Sequence, residues 1–179
     1  LDYPPALFAD ALGQRRVHLV IHGFGYMGRA ILTEAIRHCH YRTAVRPCLS
    51  IIDTDADRAV RVIAREYPEI GYCAEVRVFQ HTMLTHGLTL TALDGARLMR
   101  RWAPDDPNAD LPPTRALGNP PISGHIICFD DQSKALALAL SLREQLLEKT
   151  AANTPIFVRM KGKQGLAALL ASHQNMPEI

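Results

Sequence analysis

The chain has 179 residues, 20 basic against 18 acidic, with 47% hydrophobic and 6% aromatic side chains. That length fits one domain with a sizeable core, and balanced charge with ordinary apolar content excludes a disordered chain. A formal charge of +2 leaves no electrostatic footprint for nucleic acid, and no apolar run reaches the ~20 residues of a membrane span, so no direct insertion is expected. Four cysteines without a CxxC pair read as reduced thiols of a cytoplasmic protein. His38-Cys39-His40, with Cys48 nearby, lacks the spaced second pair of a metal site and reads as a fraying helix end. The chain opens on Leu1 rather than Met, so it reads as a piece of something longer.

Residues 1–16, with Pro4 and Pro5, read as a lead-in, and 17–179 as one domain. Val17-His18-Leu19-Val20-Ile21 predicts a buried first strand. It stops at the loop Gly23-Phe24-Gly25-Tyr26-Met27-Gly28, after which Met27, Ala30, Ile31, Glu34, Ala35 and His38 recur with helical period. A second strand, Cys48 to Ile52, closes in Asp53-Thr54, and a helix from Asp55 to Tyr67 is limited by Pro68. Glu75 to Phe79 alternates as a third strand. Residues 82–124 show weak helical pattern around Leu93 to Trp102, then prolines from Pro104 to Pro121 that mark an irregular, Pro-rich excursion. His125 to Phe129 predicts a fourth strand, ending at Asp130-Asp131. The Ala/Leu-rich segment from Ala135 to Lys149 predicts a helix, since these are strong helix formers. Pro155 to Arg159 is a fifth strand, and Gly165 to His173 a last helix. Such alternation implies an α/β, Rossmann-like, doubly wound parallel sheet in the order 3-2-1-4-5, with a long insertion between strands 3 and 4.

The first strand-to-helix turn carries the chemistry. Gly23 permits a tight turn, Gly25 lets a pyrophosphate approach the backbone, and Gly28 lets the helix pack against the sheet. The helix N-terminus behind them offers unpaired N–H groups to a phosphate. Asp53 follows Gly28 by 25 residues, against the usual ~20, and a carboxylate there suits both ribose hydroxyls. It also repels a 2′-phosphate, which favours NAD(H) or an adenine nucleotide (ATP, ADP, AMP) over NADP(H). Arg58 stands near the adenosine end.

Three stretches resemble the TrkA-N or RCK (regulator of K⁺ conductance) nucleotide-binding domains of potassium channels and transporters: His18 to Arg29, Leu49 to Asp55, and Ile126 to Asp131 leading into the Ala/Leu helix. The closing Pro155-Ile-Phe-Val-Arg159 is similar to that family's fifth strand. The resemblance implies a non-catalytic cytoplasmic sensor whose nucleotide occupancy acts on an ion pathway. It further implies a homodimer or ring and a membrane pore domain in a longer parent chain. Carried over, the loop glycines with Asp53 and Thr54 hold the nucleotide, Asp130 and Asp131 border the cleft, and Arg159 steadies that crevice or a neighbouring subunit. Three departures mark a divergent member: Tyr26 stands where a basic residue often follows GxG, Gln80-His81-Thr82 replaces a Gly-Asp-Ala, and the excursion replaces a compact helix.

Two other readings stay open. The loop also resembles the opening of phosphorylating aldehyde dehydrogenases of the glyceraldehyde-phosphate type, which implies an NAD-dependent oxidoreductase. That chemistry needs an acid/base or thiolate partner, and His81, His86 and His125 are the histidines near strand ends. The third reading is a ligand-free assembly module. Leu136, Leu140 and Leu147 make the long helix apolar on more than one face, a candidate self-association surface.

Overall fold

The computed structural model describes residues 9, 12–14, 16–39, 46–80, 97–98, 121–148 and 153–160. In chain order the elements are β1 (His18–His22), α1 (Tyr26–Cys39), β2 (Cys48–Asp53), α2 (Ala56–Glu66), α3 (Ile70–Cys73), β3 (Glu75–Gln80), β4 (Arg97–Leu98), β5 (Gly124–Ile127), α4 (Gln132–Glu148) and β6 (Ile156–Val158). Five strands run parallel in the order β3-β2-β1-β5-β6, the arrangement expected from the alternation of elements. The two-residue β4 adds an antiparallel pairing at the outer edge of β3. Residues 97–98 are therefore extended, where the local pattern suggested helix, because an open sheet edge offers N–H and C=O groups that a strand satisfies. The rest of the Pro-rich excursion up to residue 120, and the helix expected from Gly165 to His173, lie outside the described residues.

Alternation along the strands divides the core in two. Leu19 and Ile21 of β1, Leu49 and Ile51 of β2, and Val76 and Val78 of β3 face α1 and α2, which contribute Leu32, Ala35, Ala59 and Ile63. Val20, Ile52, Phe79 and Ile127 face the other way, onto Ala135, Leu138, Ala139 and Leu142 of α4. The α4 positions recur every three or four residues, so one stripe of a nearly all-apolar helix covers the sheet. Each fully buried Leu or Ile contributes about 1.5–3 kcal/mol of transfer free energy, and such burial on both faces is what a parallel sheet requires.

Helix ends follow local chemistry. The Asp55 carboxylate accepts from the Arg58 N–H at 2.9 Å and starts α2, and the Tyr67 N–H donates to the Ile63 carbonyl at 2.8 Å where α2 stops before Pro68. At the amino end of the sheet, Glu75 lies between Arg16 and Arg77, each 2.6 Å away. The Gln14 side chain accepts from Ser123, whose Oγ in turn accepts from the His18 N–H at 2.9 Å. Residues 14 and 16 are thereby tied to the start of the strands. Among the described residues no helix is long and apolar enough to cross a membrane.

Candidate functional site

β1 is the central strand, with β2 on one side and β5 on the other, so the loop after it opens at the carboxyl edge where the winding direction reverses. That switch point is where open α/β sheets bind ligands. His22 pairs in register with Ile52 and Ile127, and the chain turns immediately after it.

The turn depends on its glycines for different reasons. Gly23 adopts φ +89°, and its N–H donates to the Ile52 carbonyl at 2.8 Å. A Cβ there would also lie 2.9 Å from the Phe129 ring. Only glycine takes that backbone without strain. A Cβ on Gly28 would fall 2.1 Å from the Gly23 carbonyl oxygen, so the first turn of α1 presses directly against the loop. Gly25 has open space where its Cβ would be, as close approach of a ligand requires. Phe24 is buried in the α1/α2 core, Met27 packs against that core, and Tyr26 is 80% exposed at the loop's rim.

Asp53 does more than end its strand. One carboxylate oxygen accepts from the Phe24 N–H at 2.6 Å and the other from the Asp55 N–H at 2.9 Å. The acid is therefore clamped to the glycine loop, half-buried, with a lone pair to spare on each oxygen. Thr54 beside it is exposed.

Asp130 and Arg159 meet across the ends of β5 and β6, with Arg159 Nη1 2.9 Å from the carboxylate and the Arg159 N–H donating to the Ile127 carbonyl. Asp131 caps α4. It accepts from the N–H groups of Ser133 at 3.0 Å and Lys134 at 3.2 Å, and the Lys134 ammonium stands 3.6 Å away. The Lys134 N–H bond, aided by that ammonium, holds the Asp131 carboxyl below its ordinary range. Asp130 and Asp131 are thus partnered within the chain, while Asp53 and the loop form the connected unit.

Three of the described helices, α1, α2 and α4, begin at this edge and differ. α2 and α4 have Asp55 and Asp131 on their first N–H groups. α1 has no acid in its first turn, and no described side chain accepts from the N–H of Tyr26, Met27 or Gly28. Its first N–H groups and positive dipole end come directly after Gly25, where a Cβ would meet open space.

Two features escape a reading of the sequence. Phe129 forms the wall beside Gly23, a role set by the partner strand rather than by its own neighbours. Directly beneath, His22 Nε2 and His125 Nδ1 share a hydrogen bond of 3.1 Å, both rings fully buried, and His18 bonds Ser50 Oγ at 2.8 Å. Burial, with His18 adding to it, pushes the His125 pKa down to about 4, so the ring is neutral at pH 7. A histidine two residues into a strand reads as a strand-end group, and only the fold shows it inside. Burial likewise pushes the Cys39 thiol up to about 12 and Cys48 and Cys128 to about 11, which leaves them unreactive. Comparison with protein-family models, with curated proteins and with solved structures finds no match.

Proposed function

We propose that this chain is a nucleotide-binding regulatory domain that takes NAD(H) or another adenine nucleotide in the crevice above Gly23–Gly28. One observation carries the reading: the glycine loop at the switch point is closed by Asp53 and leads into the only one of three long helices here whose first N–H groups no described side chain accepts from. The pyrophosphate lies against Gly25 and the start of α1, and Asp53 accepts the adenosine ribose hydroxyls with its remaining lone pairs. Thr54 borders the ribose, and the Asp130–Arg159 pair borders the far side of the crevice. The regulatory part of the proposal, a cytoplasmic sensor acting on a potassium pathway through a dimer or ring and a pore domain elsewhere in the parent chain, rests on the resemblance of the loop, of Leu49 to Asp55 and of Pro155 to Arg159.

Calorimetric titration with NAD⁺, NADH, ATP, ADP and AMP tests the reading, with micromolar binding of at least one ligand expected. No heat and no thermal shift with any of them would leave the assembly-module reading in its place. Incubation with NAD⁺ and a panel of alcohols and aldehydes separates the sensor from a dehydrogenase, since turnover would overturn the non-catalytic part alone.

A further inference from the structure

We infer that this chain associates with further copies of itself head to tail, the outer side of α2 in one copy meeting the outer side of the last turns of α4 in the next. An arginine stripe and an acidic stripe, set on opposite sides of one sheet, lead there.

On α2, Arg58, Arg61 and Arg65 follow at spacings of three and four, so they share the exposed side of the helix, turned away from the buried Ala56, Ala59 and Ile63. Among the described residues Arg58 and Arg61 have no carboxylate within ion-pair distance, since Asp55 takes only the Arg58 backbone N–H. Arg65 reaches Glu66 at 3.2 Å, a carboxylate that also receives Arg29 at 3.0 Å. Like charges at these spacings repel, and Arg58 stands at the positive end of the helix, so the stripe weakens α2 in the isolated chain.

On α4 the signs are reversed. Glu144 and Glu148 lie four residues apart on the exposed side, and neither has a cation within ion-pair distance among the described residues. The last turn holds no basic residue, so both carboxylates stand at the negative end of the helix. Leu140 and Leu147 are exposed beside them.

α2 covers one face of the sheet and α4 the other, so the two stripes point apart and cannot meet within one copy. Between copies they match. Guanidinium groups take carboxylates through paired N–H bonds, and the arginine stems with half-buried Val60 give Leu140 and Leu147 apolar cover. A single exposed pair contributes little, so the contact depends on the whole set and on low salt. Unlike surfaces meet, so each copy keeps one unused stripe at either end. Assembly then propagates as a ring or filament rather than stopping at a two-fold pair.

Sedimentation velocity over a concentration series reads the assembly. In low-salt buffer the mean mass of the parent should climb past that of a dimer as concentration rises. At 0.5 M salt it should return to the monomer, because screening then acts over only a few ångströms. Two charge reversals test the faces: Arg58→Glu with Arg61→Glu on α2, and Glu144→Arg with Glu148→Arg on α4. Either variant alone should stay monomeric while keeping the parent's circular dichroism and unfolding midpoint. An equimolar mixture should associate again, because each variant carries the complement of the other. The milder Arg61→Gln and Glu144→Gln, for use where a reversal fails to fold, should each weaken association about fivefold. A parent that stays monomeric in low salt at high concentration would overturn the proposal, as would a mixture of folded variants that stays monomeric. Association that persists at 0.5 M salt and in both variants would overturn it too, by assigning the contact to an apolar surface such as α4 against α4.

Discussion

The two faces of the sheet are built differently. Toward α1 and α2 the strands present Leu19, Ile21, Leu49, Ile51, Val76 and Val78, an apolar layer throughout. Toward α4 the alternate positions include His18, His22, Ser50, Arg77 and His125 among Val20, Ile52, Phe79 and Ile127. The first face is held by burial alone. The second must also satisfy buried polar groups, because each costs free energy unless hydrogen-bonded. It does so in part, with the His18–Ser50 and His22–His125 pairs and with the Glu75 carboxylate on Arg77, while the buried His125 Nε2 has no hydrogen-bond partner among the described residues. Below neutral pH the aliphatic layer of the first face therefore does not titrate, whereas the second carries His125 and its stability follows pH there.

Core truncation should sharpen this contrast most. Leu32 and Leu142 are both fully buried, one on each face. Leu32→Ala leaves a dry cavity among aliphatic groups and should cost about 4 kcal/mol, near the upper part of the range for such changes. Leu142→Ala opens space on the face that carries the imidazoles, which water can enter and bond, and should cost about 2–3 kcal/mol. Urea denaturation midpoints at pH 7 measure both. Equal losses would mean that the polar layer does not soften its face.

The next largest effect is on pH dependence. His125 is neutral in the fold down to about pH 4, whereas an unfolded histidine takes up its proton near 6.5. Between these values the unfolded chain binds more protons, so stability is full above about 6.5 and declines as pH falls toward 4. The total loss is about 3 kcal/mol. His125→Gln keeps a hydrogen-bonding group for His22 and cannot titrate, so the difference between variant and parent should flatten over that window. Leu32→Ala should shift the whole curve without changing its shape. An unchanged pH profile in His125→Gln would show that the α4 face titrates through another group.

Asp53 ends β2, a strand of the apolar face, but serves the site. Asp53→Ala should weaken nucleotide binding by ~1–3 kcal/mol, as loss of a charged hydrogen-bond partner does. A strand-end carboxylate facing solvent would leave stability untouched on removal. The bonds from the Phe24 and Asp55 N–H groups change that expectation, and the unliganded protein should lose about 1 kcal/mol. Calorimetry and thermal unfolding on the same variant separate the two losses.

The difference between the faces also explains what was legible in the sequence. Runs such as Leu49 to Ile52, the Gly23–Gly28 spacing, and Asp55 and Pro68 at the ends of α2 are local signals, and they place the strands, the loop and the sheet order. His22 was not legible, because it ends an apolar run and meets His125 across a sequence separation of 103. The two-residue β4 is likewise a product of pairing with β3 rather than of its own pattern. Asp131 was legible in one sense and missed in another. Its place before an apolar helix is an N-cap signal as well as a cleft signal, and in the structure it acts as the cap.

The smallest effect on stability concerns the outer side of α4. Leu140 and Leu147 are 63% and 58% exposed, seven residues apart and so on one helix face, with Leu136 half-buried between that face and the sheet. Replacing both exposed leucines by Glu removes little buried area and should change monomer stability by no more than ~0.5 kcal/mol. If the chain pairs through this surface, the same double substitution should abolish association, since two buried carboxylates would face apolar groups. Sedimentation over a concentration series, for parent and variant, with and without nucleotide, reads the outcome. A parent that associates and a variant that does not would assign the pairing to α4. Nucleotide shifts that equilibrium only if the two assembly states differ in affinity for it, so tighter association with ligand present would mean that crevice and α4 surface are coupled through β5. A parent that stays monomeric at high concentration with and without ligand would remove self-association through α4 for this chain.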